Sequence, residues 1–316
     1  MGKIKVGVIG IGHLGTFHLQ KYDAIEACEI AGVSDIVEER ARNAAERFGC
    51  RAFTDYHELL DRVDAVSIAV PTQFHYEAAR PFLARGIDVL LEKPITDRLE
   101  DADELVALAD TNKAVFQIGF VERFNPAIVA LGKVLTRPLF IETHRLHPFF
   151  ERGTDVDVVL DLMIHDLDII LHAVQSPVAQ VDAVGVSVMS EKVDIANARI
   201  TFESGCVANV TASRITSKTM QKIRFFGFDG YHSVDYGKRE LLSLRRTTDS
   251  EGKTDITENR VAMVPQDPLE AEIRSFIDSV TTRKKALVSG QEGRKSLELA
   301  LMIIERMKIG EEITGQ

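Results

Sequence analysis

The sequence predicts two domains of different α/β type. Residues 1–121 read as a doubly wound parallel sheet, and residues 122–316 as an α+β domain on a mostly antiparallel, open sheet. Three observations carry this. Short apolar runs alternate with amphipathic stretches over the first third of the chain, which is the rhythm of βαβ units. A glycine-rich turn follows the first run. After Gly119 the β-patterned runs follow one another with few helical patterns between them, as in antiparallel sheets. A chain of 316 residues suits two domains at roughly 100–200 residues each.

Taken in order, the strand-like runs of the first domain are "KIKVGVIG", "EIAGVSD", "DAVSIAV", "DVLLEKP" and "AVFQIGF". Between them "EERARNAAERFG", "HYEAARPFLARG" and "LEDADELVALADTN" space their apolar residues as helices do. Gly49, Gly86 and Asn112 stand where helix C-caps belong. In the second domain "LFIETHRLH" leads into an apolar helix. The runs "VAQVDAVGVSVM", "IANARITFES", "GCVANVTASRI", "MQKIRFFGF" and "ELLSLRR" follow, with "ESGC" as a hairpin turn. Two helices, 267–281 and 291–309, end the chain, the last closed by Gly310.

Composition excludes several classes of function. The 38 Lys and Arg against 48 Asp and Glu leave a net charge of −10, which argues against nucleic acid or an anionic membrane surface as partner. No run approaches the roughly 20 apolar residues of a membrane span, and the amino terminus lacks a signal-type apolar region. Cys28, Cys50 and Cys206 are odd in number and far apart, so neither disulfides nor a metal site is expected. A reducing, cytoplasmic setting follows as the expectation.

Gly10, Gly12 and Gly15, with His13 and Leu14 between the last two, form a GxGxxG between a strand and a helix. Asp35 lies twenty residues past Gly15 and ends the second strand. That context makes a dinucleotide-binding fingerprint, hence a Rossmann domain. The helix amino terminus faces the pyrophosphate. Asp35 would accept from ribose hydroxyls and repel a 2′-phosphate, so NAD is expected rather than NADP, although Arg40 and Arg42 are near.

Lys93 ends an apolar strand, where open α/β sheets hold ligands. Its position fits both a lysine beside substrate and an ordinary loop lysine. The stretch "VVLDLMIHDLDIILHAV" (158–174) is apolar yet carries Asp161, His165, Asp166, Asp168 and His172. At about 100° per residue, Asp157, His165, Asp168 and His172 fall within about 40° of Asp161, and Asp166 about 140° away. Such a narrow stripe fits a metal set, a structural hydrogen-bond network, or a general acid/base at His165 oriented by carboxylates. The last is favoured.

Taken together these motifs resemble the Gfo/Idh/MocA family of oxidoreductases over essentially the whole chain. The elements are "GIGHLGTFH" (with His18), "AVPTQFH", "EKP", "RFNP", the D-x3-H-x2-D of Asp161, His165 and Asp168, and the ending "SGQEGRKSLELALMI". The resemblance implies a dehydrogenase that passes hydride from a sugar or polyol hydroxyl to a nicotinamide, assembled as a homodimer or homotetramer. It implies catalytic roles for Lys93, Asp161 and His165, and positions near the cofactor for Thr72, His75 and Glu92. Arg123, Asn125 and Asp168 are implied on the substrate side.

Many relatives carry glycines before the Asp, where this chain has "DVDVVLD". The form "LDLMIHDLDIIL" is similar to that of enzymes oxidising C3 of UDP-N-acetylglucosamine. An inositol or free-sugar dehydrogenase is the alternative substrate class. A non-catalytic NAD(P)-binding sensor is the alternative of another kind. The loop "HPFFERGTD" (147–155) is a further candidate to shape the pocket.

Overall fold

The computed structural model describes residues 2–150, 156–228, 230–248, 253–263 and 266–309. The chain forms two units, Met1–Val121 with Asp267–Leu297, and Glu122–Gln266 with Glu298–Gln316.

In the first unit the strands are β1 (Ile4–Ile9), β2 (Cys28–Ser34), β3 (Arg51–Phe53), β4 (Ala65–Ile68), β5 (Asp88–Glu92) and β6 (Phe116–Gly119). The helices between them are α1 (His13–Asp23), α2 (Glu38–Phe48), α3 (His75–Ala84) and α4 (Leu99–Asn112). All strand pairs are parallel, in the order β3-β2-β1-β4-β5-β6. The order reverses beside β1, so a ligand crevice opens at the carboxyl ends of β1 and β4. Every residue of β4 and β5 is buried, as a sheet covered on both faces requires. Short β3 escapes the sequence pattern because only Phe53 of its three residues is buried.

The helix α7 (Pro268–Thr282) belongs to this unit. That corrects the expectation of a second domain unbroken over 122–316. Ile273, Phe276, Ile277 and Val280 of α7 share one buried cluster with Val6, Val8, Leu19 and Tyr22. An amphipathic helix goes where its apolar face is covered, whatever its place in the chain. The left-handed cap of α4 is Lys113 (φ 56°), one residue beyond the Asn112 expected.

The second unit holds α5 (Pro126–Leu131), β7 (Pro138–Leu146), α6 (Ile164–Val174), β8 (Val178–Val186), β9 (Ile195–Phe202) and β10 (Val207–Ser213). It continues with β11 (Met220–Gly227), β12 (Gly230–Asp235), β13 (Glu240–Thr248) and β14 (Thr254–Ala262). Helix α8 (Gly290–Arg306), whose residues up to Leu297 belong to the first unit, passes directly into β15 (Met307–Ile309). Among the described residues the sheet runs β14-β13-β12-β11-β7-β10-β9-β8-β15. Its pairs are antiparallel except β7 with β10 and β8 with β15.

Sequence reading missed β12 and β14. The exposed edge strand β14, "TDITENRVA", buries no face and so shows no alternation. Helix α8 ends at Arg306 instead of 309, because 307–309 pair with β8. Gly310 lies outside the described residues. No described helix is long and apolar enough to cross a membrane.

Phe276→Ala is expected to destabilise the first unit by about 3–5 kcal/mol through lost transfer energy and a residual cavity. Urea unfolding followed by circular dichroism measures this.

Candidate active site

The turn after β1 is shaped by sterics. Gly10 has φ +86°, and a Cβ there would stand 2.8 Å from the Ala69 carbonyl. A Cβ on Gly15 would overlap the Gly10 carbonyl oxygen, so α1 can seat against the turn only with glycine there. Gly12 differs. It is exposed, nothing lies within 4 Å of its Cβ direction, and it precedes a first helical turn without acidic residues. An open glycine at the positive end of a helix suits a diphosphate. The dinucleotide expected there fits these residues. His13 is exposed with its ring edge-on to Phe17, and Leu14 is half-buried.

Asp35 does more than the fingerprint implies. Its Oδ2 accepts from Ile11 N–H (2.7 Å) and its Oδ1 from Val37 N–H (2.8 Å), with the residue buried. The carboxylate ties the glycine turn to the end of β2. Each oxygen keeps a further lone pair, which is what a ribose hydroxyl would use.

Lys93 is half-buried, directly after β5. The residues around it are braced by two buried histidines. Nε2 of His18, on α1, lies 3.0 Å from Glu92 Oε1. The His75 ring spans two carbonyls, with Nδ1 2.7 Å from Pro94 O and Nε2 3.0 Å from Val70 O. His75 is 1% exposed, and its ring braces the turns that carry Val70 and Pro94. Burial lowers its pKa, against the raising effect of those carbonyls. Glu92 is likewise buried and joined to His18, and Thr72 is half-buried at the head of a short 3-10 turn, Thr72–Phe74.

In the second unit the apolar stretch is not one uniform helix. Val159–Met163 is a π-helical segment, continued by α6. Wider i→i+5 turns, common at functional sites, shift Asp161 out of phase with the residues after it. The single stripe of even 100° steps is corrected to that extent. Asp157 lies before the helix, where its Oδ1 accepts from Val193 N–H (3.1 Å). Asp161 and His165 are half-buried, and His172 is exposed.

The acid that falls off the stripe is the most deeply held. Asp166 is 0% exposed and receives both Nε (3.1 Å) and Nη2 (2.9 Å) of Arg145 on β7. Tyr236 O–H donates to Asp166 Oδ1 (3.0 Å), and Arg145 Nη1 reaches Glu122 Oε1 at 3.1 Å. The Arg145 guanidinium also lies 4.8 Å from the Tyr236 ring centroid. Despite burial, Asp166 and Glu122 hold Arg145 charged, with its pKa above the usual arginine value. Burial and then the Asp166 charge push the Tyr236 hydroxyl well up. Sequence reasoning missed this network. Its one trace is Arg145, an arginine at an inward position of a strand.

Arg123 and Asp168 are both buried, with Nη1 3.2 Å from Oδ1, and Arg123 Nη2 lies 3.0 Å from His172 Nδ1. Asn125 is the N-cap of α5. Its Oδ1 accepts from Ala127 N–H, and its Nδ2 donates to Glu122 and to the Tyr236 carbonyl. These bonds run within the unit and fix the three side chains that the sequence places on the substrate side. A buried guanidinium requires a counterion, and a buried amide requires partners.

The entry to the π segment is pinned by Arg214 and Asp194. Arg214 Nε donates to Asp194 Oδ1 (2.9 Å) and its Nη1 to Val156 O (3.0 Å). Asp194 Oδ2 accepts the N–H groups of Val188, Met189 and Ser190. Burial opposes this charge, but the Ser190 hydroxyl and those N–H groups hold its pKa well below the carboxylate range. Residues 151–155 of the 147–155 loop lie outside the described residues, while Phe150 is exposed beside the His147 ring.

A parallel-sheet nucleotide fold with this turn, on one chain with a large and mostly antiparallel unit, has the form of a nicotinamide-dependent oxidoreductase. The chain belongs to the Gfo/Idh/MocA family: residues 4–120 match its "Oxidoreductase family, NAD-binding Rossmann fold" model and residues 130–232 its C-terminal domain model. It is 39% identical over 302 residues to the UDP-N-acetylglucosamine 3-dehydrogenase of Acidithiobacillus ferrooxidans, covering 95% of this chain and 96% of that one. A solved structure of that enzyme superposes with a TM-score of 0.91 at 38% identity, over 97% of this chain and 98% of that one. The myo-inositol 2-dehydrogenase of Thermotoga maritima is 26% identical, covering 94% of each chain.

Three outcomes are expected. Gly10→Ala should cost about 1–2 kcal/mol or more, because it forces a side chain into the left-handed region. Gly12→Ala should leave unfolding within about 0.5 kcal/mol of wild type while weakening NADH about tenfold; fluorescence titration beside urea unfolding separates the two. The stability lost in Asp194→Asn, followed by urea unfolding, should be full above about pH 5 and shrink progressively as pH falls from about 4 toward the much lower folded-state pKa of Asp194. A carboxylate with a depressed folded-state pKa stabilises above its unfolded pKa, and that stability is lost on protonation.

Proposed function

We propose that this protein is an NAD-dependent dehydrogenase that oxidises a secondary hydroxyl of a nucleotide sugar, with UDP-N-acetylglucosamine, at C3, as substrate. The observation that carries this is the 39% identity to the Acidithiobacillus enzyme over 95% of the chain, against 26% to the inositol enzyme. Asp35 at the end of β2 favours NAD, because a carboxylate there repels a 2′-phosphate.

The nicotinamide, when bound, supplies the hydride acceptor. In the proposed reaction His165 accepts the hydroxyl proton as the C–H bond of the same carbon gives up its hydride, leaving a ketone. Lys93 donates a hydrogen bond to the reacting oxygen and favours its developing negative charge. Asp161 holds either the imidazole or a substrate hydroxyl. Arg123, Asp168 and Asn125 act beneath this surface as the packing that holds it. We assign the protein to the cytoplasm as a homodimer or homotetramer.

The chain contains no tryptophan, so NADH emission meets little protein background. Purified protein with NAD is expected to produce NADH with UDP-N-acetylglucosamine and not with inositols or free hexoses. Lys93→Met and His165→Ala should each lower kcat at least about a hundredfold. Turnover with inositol instead would transfer the assignment to the polyol class. NAD binding without turnover on any sugar would favour a sensor.

A further inference from the structure

Behind the β5 terminus lies a polar cluster that the proposed reaction does not use. Glu272 of α7 is 0% exposed, and neither carboxylate oxygen has a hydrogen-bond partner among the described residues. Gln117 on β6 donates its Nε2 to the Glu272 backbone carbonyl (3.2 Å), yet its own Oε1 is buried without a partner. His18, 3.0 Å from Glu92 through Nε2, likewise has a buried, unpartnered Nδ1. These groups come from α1, β5, β6 and α7 of one unit. They present several acceptors and too few donors.

A buried, bare carboxylate costs several kcal/mol. A carboxylic acid carries no charge and costs far less. The neighbouring charge acting on Glu272 is that of Glu92, which has the same sign. Burial first, and Glu92 second, raise the Glu272 pKa well above the usual range. The ionisable groups around the cluster are His18 and Tyr22 on α1, Cys28 on β2, His75 on α3 and Glu92 on β5. On α7, Arg274 is exposed and bonded to Glu270. On α8, Glu292 caps Ser289 and Arg294 bonds Asp103. None of these contacts brings a cation to Glu272.

We propose that Glu272 is carried as the neutral acid in the folded protein, and that His18, Glu92 and Glu272 together are positioning residues for Lys93. A neutral Glu272 leaves Glu92 as the one anion of the pair, free to accept from His18 Nε2–H. That bond ties the end of β5 to α1, the helix whose first turn faces the phosphates. Lys93 is the next residue along the chain, and the carbonyl of Pro94 after it is held by His75. The direction of Lys93 is thereby set from both sides. This rests on the role proposed for Lys93, but neither readout below requires turnover, so a wrong substrate leaves both results legible.

The first readout is urea stability of the full chain and of Glu272→Gln, an isostere of the neutral acid, between about pH 5 and about pH 8.5. An unfolded glutamate is ionised above about pH 4.3, so a folded neutral Glu272 takes up a proton on folding. The folding equilibrium of wild type should then fall relative to Glu272→Gln by up to about tenfold per pH unit. A raised folded-state pKa stabilises at low pH and loses that stability as pH rises, so the gap must widen with pH. Parallel curves would overturn the neutral acid.

The second readout is the rate at which an amine-selective reagent labels Lys93, resolved from other lysines by mass spectrometry. Glu92→Ala and His18→Ala should change the Lys93 rate at least about threefold while other lysines stay within error. Glu92→Gln, which keeps an acceptor for His18, should restore it. Unchanged Lys93 labelling in folded Glu92→Ala and His18→Ala would overturn the positioning role.

Discussion

A guanidinium held out of water by its own counterions is the constraint on which the second unit depends. Arg145 stands on β7, which lies inside the large sheet between β11 and β10, and it grips Asp166 through two parallel bonds. Removing one member of such a pair leaves a bare buried charge and costs roughly 3–5 kcal/mol. A rotation of α6 by one residue would do the same. The pair therefore sets the helix about its own axis, and with it the sides on which His165 and Asp161 remain half-buried. Tyr236, Glu122 and Thr143 complete the bonding, so the register is held from β7, from the residue after β12 and from the turn that carries Glu122.

The first unit uses two kinds of constraint. The glycine turn is governed by volume, because Gly10 and Gly15 sit where a Cβ would meet backbone, whereas Gly12 opens onto free space. The turn after β5 is governed by buried polar groups, through His18 and His75. Volume makes a turn possible and says little about where a side chain points. Hydrogen bonds from two directions do the latter.

What could be read from the chain follows from this division. The parallel sheet was legible because its central strands β4, β5 and β6 are buried throughout and its helices carry one apolar face, leaving regular apolar periods. The glycine fingerprint was legible because steric needs are met by one residue type. The partners of Asp166, Arg123 and Asn125 were not, because pairing across 21, 45 and 111 residues depends on tertiary approach, which no local period encodes. The π segment was hidden for a related reason: even 100° steps assume an unbroken α-helix. Lys93 stood out by its place at a strand end and His165 by its place on an apolar helix, and the family motifs gave both their roles, while the braces around Lys93 show only in the folded structure.

The placement of α7 has a consequence for how the molecule is made. Ile273 and Phe276 belong to the same cluster as Val6 and Leu19, although more than two hundred residues of chain separate them. Domains ordinarily fold amino-terminal first as they leave the ribosome. Here the nucleotide-binding core stays incomplete until the second unit's sheet has been synthesised. For most of translation β1 and α1 carry an uncovered apolar surface, and this is the interval in which a chaperone has something to hold.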